Sequence, residues 1–554
     1  MIKYYVIIVT VIFVFFVIKS IKYNKNSRKK IRADLFDSFG GIPKRVYETD
    51  EIKKIRYYFD KSRIGEYYID EITYNDLDIE GVYKRINSSG SSVGDEYLYK
   101  ILRMPKLKKE DILSNENMYR YFSDNEERAI DIQEIFLRLG RTKKVPMYEF
   151  IYKLGEIENK GNFIHYFCIL LLLSSVLLFF LNPVVGIFTF LGVLIFNIGI
   201  YYRTKNVIEN YYICFKYLIR MITCGEEIIR TGNLGIEKEI VILKNDTEKL
   251  KDIKKRRFLI SAGNDGSLIN VFMDYIRMIF HFDIIKFSHM TNIMKNNTEA
   301  INELYETLGL IETSISVASF RKSLDKYCEP DFLEKREIEA ANIFHPLIKS
   351  PVANSIKDSE SVILTGSNAS GKSTFLKTIA INYILAQSIN TCCAEKFEIQ
   401  ISQIYTSMAL RDNLSNNESY FIVEIKSLKR IIDSINENIP VVCFIDEVLR
   451  GTNTVERIAS SAYILKYISG KNALCFAATH DIELTTMLEN CYSNYHFEEK
   501  IENDDVIFDY LLKSGKATSR NAIMLLKSIG FDNEIVNNAK VMAENFVSSG
   551  LWKM

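Results

Sequence analysis

Thr365-Gly366-Ser367-Asn368-Ala369-Ser370-Gly371-Lys372-Ser373-Thr374 is the stretch that decides how this chain reads. Ser361-Val362-Ile363-Leu364 before it has the apolar run of a buried strand. Phe375 to Leu385 after it reads as a helix, apolar on one face. Strand, glycine-rich loop and helix together form the setting of a phosphate-binding loop. Glycine lets backbone N–H groups turn inward onto phosphate oxygens, and the helix N-terminus adds partial positive charge. The pattern predicts a nucleoside triphosphate, ATP, held with Mg²⁺. Gly366, Asn368, Gly371, Lys372, Ser373 and Thr374 are the candidate nucleotide-binding residues. Lys372 is expected to reach the β- and γ-phosphates and the Ser373 hydroxyl to hold Mg²⁺.

Two later segments have matching chemistry. Val441-Val442-Cys443-Phe444-Ile445-Asp446-Glu447 is an apolar strand that ends in two acids. Open α/β sheets place ligands at such carboxyl ends. Asp446 is expected to hold Mg²⁺ through water and Glu447 to act as general base on the attacking water. Leu474-Cys475-Phe476-Ala477-Ala478-Thr479-His480-Asp481 repeats the form. A neutral His480 there is placed to donate a hydrogen bond to the γ-phosphate.

The rest of the 554-residue chain is long enough for several domains. A net charge of +1 gives no global pull toward nucleic acid or acidic lipid. The nine cysteines are scattered without metal-ligand spacing, as expected of free thiols in a reducing compartment. Three apolar segments stand apart: Tyr4–Ile18, Phe163–Leu181 and Val184–Tyr202, the last two separated by the turn dipeptide Asn182-Pro183. A helix apolar all round belongs in a membrane or a very large core, and these read as membrane spans. For the first, a cleaved signal peptide is the competing reading. Lys19 to Arg32, Lys160, Arg203 and Lys205 flank the spans on one side, which predicts a multi-pass cell-membrane protein with an external N-terminus and a cytoplasmic remainder. His165 and Asn197 read as interfacial. The basic run Lys249 to Arg257 reads as a solvated helix face, with phosphate-backbone contact as the alternative.

Taken together these motifs resemble the ATPase domain of the MutS family, a branch of the ABC-class ATPases. The family's phosphate loop, TGPNxxGKST, is similar to residues 365–374 here. Asp446-Glu447-Val448-Leu449-Arg450-Gly451-Thr452-Asn453-Thr454 resembles its DEIGRGTST, and Ala478 to Thr485 its ATHxxELT. Asp412 to Glu424 is similar to DDLxxGxSTFxxE, with Asn417 in place of a glycine, and His345-Pro346 matches an element preceding the domain. Tyr510 to Ala539 resembles the C-terminal helix–turn–helix through which such ATPases dimerise. Upstream, Ser92-Val93-Gly94 to Pro105 and Ile315 to Ala318 are similar to the core and lever helices, while the mismatch-reading domain has no counterpart.

The resemblance implies a homodimer in which Ser419 of one subunit caps the γ-phosphate bound by the other. The expected fold is a C-terminal α/β P-loop ATPase domain of ABC class (341–554). It follows a mostly helical core and lever region (33–160 and 203–340), interrupted by a transmembrane helical hairpin (163–202) and preceded by an N-terminal transmembrane anchor with a basic flank (1–32). Two functional readings stand side by side. One is a membrane-anchored MutS-like ATPase that binds DNA in a role related to mismatch repair. The other is a membrane ATPase switch acting on a protein or lipid partner without DNA. An ABC transporter subunit is a third reading, disfavoured because three spans are few for a substrate path.

Overall fold

A computed structural model describes residues 19, 28–142, 146–153, 162–232, 235–255, 275–367, 370–408, 420–449, 452–502, 505–517, 523, 526 and 530–549. The first apolar segment, Asn368, Asn417 and Ser419 lie outside the described residues. The chain forms two compact units, one drawn from Met1–Ile64, Ile86–Lys100 and Asn117–Ser323, the other from Gly65–Arg85, Ile101–Glu116 and Leu324–Met554.

The first unit is helical. Its principal helices are α1 (Ser92–Arg103, within this unit as far as Lys100), α2 (Glu126–Leu139), α3 (Phe163–Leu181), α4 (Pro183–Thr231), α5 (Glu237–Lys249), α6 (Phe282–Lys295) and α7 (Thr298–Lys322). In α7, Ile301, Leu304, Leu308, Ile311 and Ile315 recur at helical spacing and are all buried. They share one core with Ile130 and Phe136 of α2, Phe215 and Leu218 of α4, and Leu243 of α5. Burial of each such side chain stabilises the fold by about 1.5–3 kcal/mol. α2 starts on Glu126 and Glu127 and stops at Gly140, whose φ of +67° ends the helix at no steric cost.

Two buried carboxylates of this unit are held by clusters of donors. Glu312 of α7 accepts hydrogen bonds from the backbone N–H groups of Gly90 (2.6 Å), Ser91 (3.0 Å) and Gly94 (3.1 Å), and from the Ser91 hydroxyl. Gly94 has to be glycine: a Cβ there would sit 2.3 Å from Glu312 Oε2. Asp95 bonds Arg45 and Arg141, each at 2.7 Å.

At the expected hairpin the outcome is mixed. α3 and α4 do pack as two helices around Asn182-Pro183, and Asn182 Oδ1 caps α4 by accepting from Val185 N at 3.3 Å. Only the second arm, Pro183–Lys205, is long and apolar enough to cross a membrane, with mean hydropathy 2.2 and little of its length buried. The apolar part of the first arm, Phe163–Leu178, spans about 24 Å at 1.5 Å per residue, short of a hydrocarbon core of about 30 Å. The third segment does not end near Tyr202, because nothing after it breaks a helix and α4 runs on to Thr231. His165 and Asn197, expected at the interface, have protein partners. Both are buried, with His165 Nδ1 2.9 Å from His281 Nδ1, and Asn197 donating to Cys168 O while its own carbonyl lies 3.2 Å from His281 Nε2.

In the basic run, Leu250 and Ile253 enter the core, while Lys251 and Lys254 pair with Glu248 and Glu226. Arg256 and Arg257 of the run lie outside the described residues.

The second unit holds two sheets. The smaller has strand order β1-β5-β2-β3, from β1 (Asp331–Leu333), β2 (Ile338–Ile343), β3 (Asn354–Asp358) and β5 (Lys396–Gln400). Strands therefore begin before the expected boundary at 341, and residues 65–85 and 101–116 join this unit as well. The larger sheet has the order β10-β9-β4-β8-β7-β6, from β4 (Ser361–Thr365), β6 (Gln403–Ser407), β7 (Val441–Asp446), β8 (Ala473–Ala478), β9 (Tyr492–Glu502) and β10 (Asp505–Ser514). All its neighbours pair in parallel except β9 and β10. The near-unbroken apolar runs of β4, β7 and β8 follow from burial on both faces. Its later helices are α8 (Lys372–Ile389), α9 (Tyr420–Ser434), α10 (Thr454–Ser469), α11 (Ile482–Met487) and α12 (Asn533–Ser549). Tyr510 to Ser514 belong to β10, so the stretch likened to a helix–turn–helix starts as strand; its aromatic and β-branched residues, Ile507, Phe508 and Tyr510, favour that state.

Candidate nucleotide site

The parallel strands β4, β8 and β7 are neighbours, so their carboxyl ends bring three polar segments together. Two backbone bonds continue the ladder past the strands: Thr479 N donates to Leu364 O at 2.9 Å and Glu447 N to Ala478 O at 3.0 Å. After β4 the chain turns at Gly366, with φ +143°, and at Gly371, with φ +112°, which caps α8. Only glycine takes such angles without strain. A Cβ on Gly366 would also meet Phe497 O at 2.7 Å, so β9 closes tightly on the loop.

Lys372 is the first residue of α8 and is buried. Its ammonium donates to Gly366 O at 2.7 Å and Ser367 O at 2.8 Å, and lies 3.5 Å from His480 Nε2. Burial lowers its pKa, opposed by the charges of Asp446, Glu447 and Glu499. His480 Nε2 is 3.2 Å from Glu447 Oε1. Burial raises the pKa of the Asp446 carboxyl, opposed first by a hydrogen bond with Ser373. The structure thus brings Lys372, Ser373, Asp446, Glu447 and His480 together, and Thr374 follows Ser373 on α8. Glu447 and Leu449 adopt φ of +62° and +57°, unusual for residues with side chains.

A cavity of about 450 Å³ opens on this cluster. Ser367, Lys372, Ser373 and Glu447 line one part, while Ile343, Ile348, Val352, Phe497 and Tyr510 line an apolar part. Apolar walls with few placed polar groups are the usual form of a small-molecule site. His345 also lines it. Burial drives that imidazole's pKa down to about 4, and its Nδ1 accepts from Leu347 N at 3.2 Å.

Three features escape the motif reading. Arg457 holds Asp481 through two bonds, of 3.0 and 2.6 Å, and so steadies the turn after His480. Phe497 and Tyr510 come from a hairpin far along the chain. Ser367 donates to Glu499 Oε2 at 2.9 Å. No local pattern marks Glu499, which reaches the loop only through the pairing of β9 with β4.

Comparison with known proteins agrees with this geometry. Residues 362–547 match MutS domain V. The chain is 28% identical to the DNA mismatch repair protein MutS of Lactobacillus delbrueckii over 277 residues, 48% of this chain and 32% of that protein. It is 28% identical to the human MutS protein homolog 4 over 263 residues, 44% of this chain and 28% of the relative. It is likewise 28% identical to the endonuclease MutS2 of Staphylococcus epidermidis over 263 residues, 46% of this chain and 33% of the relative. The chain thus spans about a third of the length of the curated relatives it matches. At its C-terminal end the chain thus carries a P-loop ATPase domain that matches MutS domain V.

Proposed function

We propose that this protein is a Mg²⁺-dependent ATPase that works as a nucleotide-gated dimer, carried on a membrane by its apolar hairpin. The observation that supports it most is the meeting of Lys372, Ser373, Asp446, Glu447 and His480 at three adjacent strand ends. The donor set suits the ligands. Ser373 and Asp446 offer the hard oxygen atoms that Mg²⁺ prefers, and the Ser370 hydroxyl within the loop is buried without a hydrogen-bond partner among the described residues. When bound, Mg²⁺ neutralises charge on the phosphate oxygens.

The residues divide the work. Lys372 leaves the Gly366 and Ser367 carbonyls to hold phosphate oxygens, with the loop N–H groups of Gly366, Asn368, Gly371 and Thr374 around them. Glu447 takes the proton of the attacking water as general base. His480, beside both Lys372 and Glu447, donates to the γ-phosphate. Ser419 of the second copy closes the site in the dimer, so hydrolysis reopens the pair. Phosphate release by the full-length protein tests this reading. Wild-type turnover in Glu447→Gln refutes the assignment of the base.

The membrane part rests on the hairpin's exposed side chains, among them Phe163, Phe180, Leu181, Phe188 and Ile195. Contiguous apolar surface of this kind calls for lipid or a partner. The positive residues flanking it support a cytoplasmic side for the ATPase domain. Labelling of a cysteine at Asn182 from outside intact cells tests that topology; labelling only after lysis refutes it.

A role on DNA is supported by the relatives, whose names refer to mismatch repair and to an endonuclease. Salt-dependent retention of the protein on duplex or branched DNA supports that reading. Absence of binding at low salt favours a protein or lipid partner.

A further inference from the structure

The start of the phosphate loop is held from outside the loop. Gly366 abuts the backbone of β9, where its missing Cβ leaves just enough room for Phe497 O. The next residue, Ser367, donates its hydroxyl to Glu499 Oε2 at 2.9 Å. Glu499 lies two residues beyond Phe497 on the same strand and is only 7% exposed. The same two loop residues supply the carbonyls that occupy Lys372. Strand, carboxylate, serine and lysine therefore form one connected set of contacts at the start of the loop. A buried carboxylate at this point also repels an incoming polyanion, with little water to screen the repulsion.

We propose that Glu499 is a positioning residue which, through Ser367, holds the start of the phosphate loop and sets the threshold for triphosphate entry. This rests on the reading of the cavity as an ATP site. Nucleotide binding then has to release the Ser367–Glu499 contact, which ties occupancy of the site to the β9–β10 hairpin.

The test uses full-length protein in detergent and a fluorescent ATP analogue with Mg²⁺. Glu499→Gln keeps a hydrogen-bond acceptor for Ser367 and removes the charge. It is expected to tighten ATP about fivefold or more, with a smaller gain for ADP, because the repulsion scales with ligand charge. The change should appear in KM, with kcat within about twofold of wild type. Ser367→Ala keeps the charge and removes the bond, and is expected to tighten ATP about twofold to threefold. Unchanged or weaker ATP binding in Glu499→Gln, or equal gains for ATP and ADP, overturns the proposal. Should Glu499→Gln fail to fold, Ser367→Ala decides alone, and unchanged affinity there overturns it. Absence of ATP binding by the wild type refutes the ATP-site reading itself, a separate outcome.

Discussion

Replacement of Gly366 by alanine is the sharpest perturbation the structure offers. Two costs add at this residue. Its φ of +143° lies where side chains are strained, about 1–3 kcal/mol. The new Cβ would also stand 2.7 Å from Phe497 O and 2.9 Å from Ser370 Oγ. Phe497 is paired with Leu512, so its carbonyl cannot retreat without disturbing the β9–β10 ladder. Overpacking of this kind costs about 1–3 kcal/mol more. The sum, about 2–6 kcal/mol, is a large part of a typical domain stability of about 5–15 kcal/mol. Gly470→Ala is the matched control: its φ is −81° and its nearest neighbours, Lys466 O and Tyr467 O, are 3.7 Å away. Thermal melting and ATP titration of both variants check the reasoning. Gly366→Ala should melt at least about 5 °C lower and bind ATP at least about tenfold more weakly, whereas Gly470→Ala should match wild type. Wild-type melting and affinity in Gly366→Ala would falsify the account of the loop.

Lys372→Ala should weaken ATP binding by about a hundredfold or more in the same titration, since it removes the one ammonium aimed at the loop carbonyls. Glu447→Gln should bind ATP normally, lose at least about a hundredfold in phosphate release, and accumulate as an ATP-bound dimer in size-exclusion chromatography. Glu312→Ala strips the partner from the N–H groups of Gly90, Ser91 and Gly94 and should cost at least about 3 kcal/mol in urea unfolding. His345 has its pKa lowered to about 4 by burial, below the ordinary value of 6.5. The unfolded chain therefore binds the proton more readily; the stability His345 contributes is full above about pH 6.5 and is lost as pH falls toward 4. His345→Asn should flatten that limb of the stability–pH curve.

The nucleotide site was legible because its chemistry is local. Gly366 to Thr374, Asp446-Glu447 and Thr479-His480 each sit in one continuous stretch, and a buried parallel strand announces itself by an unbroken apolar run. What stayed hidden depends on pairing between distant residues. Glu499 and Tyr510 reach the loop through strand register, and His281 meets His165 across 116 positions of sequence. Helix ends were equally hard to read where no signal exists. Between Tyr202 and Thr231 the single glycine, Gly225, is no obstacle to a helix, so hydropathy marks the end of the apolar segment while the backbone continues. The strand at Tyr510 illustrates the converse: a likeness drawn over thirty residues overrode the β-forming residues at its start.

The continuity of α4 bears on how the apolar hairpin and the helical core can act together. Its 49 residues extend about 73 Å at 1.5 Å per residue. Its first half carries the exposed apolar residues Phe188 and Ile195; its second half places Phe215, Leu218 and Met221 in the core shared with α2, α5 and α7. A loop between these halves would absorb motion, but an unbroken helix transmits it. The base of the hairpin is fastened as well. His165 and Asn197 meet His281, and Tyr201 donates to Asp283 at 2.7 Å while accepting from Lys205 at 3.0 Å. These contacts link α3 and α4 to the start of α6, so the apolar arms cannot swing without breaking buried polar bonds, each costly to leave unmade. The hairpin is therefore an extension of the helical unit rather than a tethered appendage, and a displacement of that core moves it as one body.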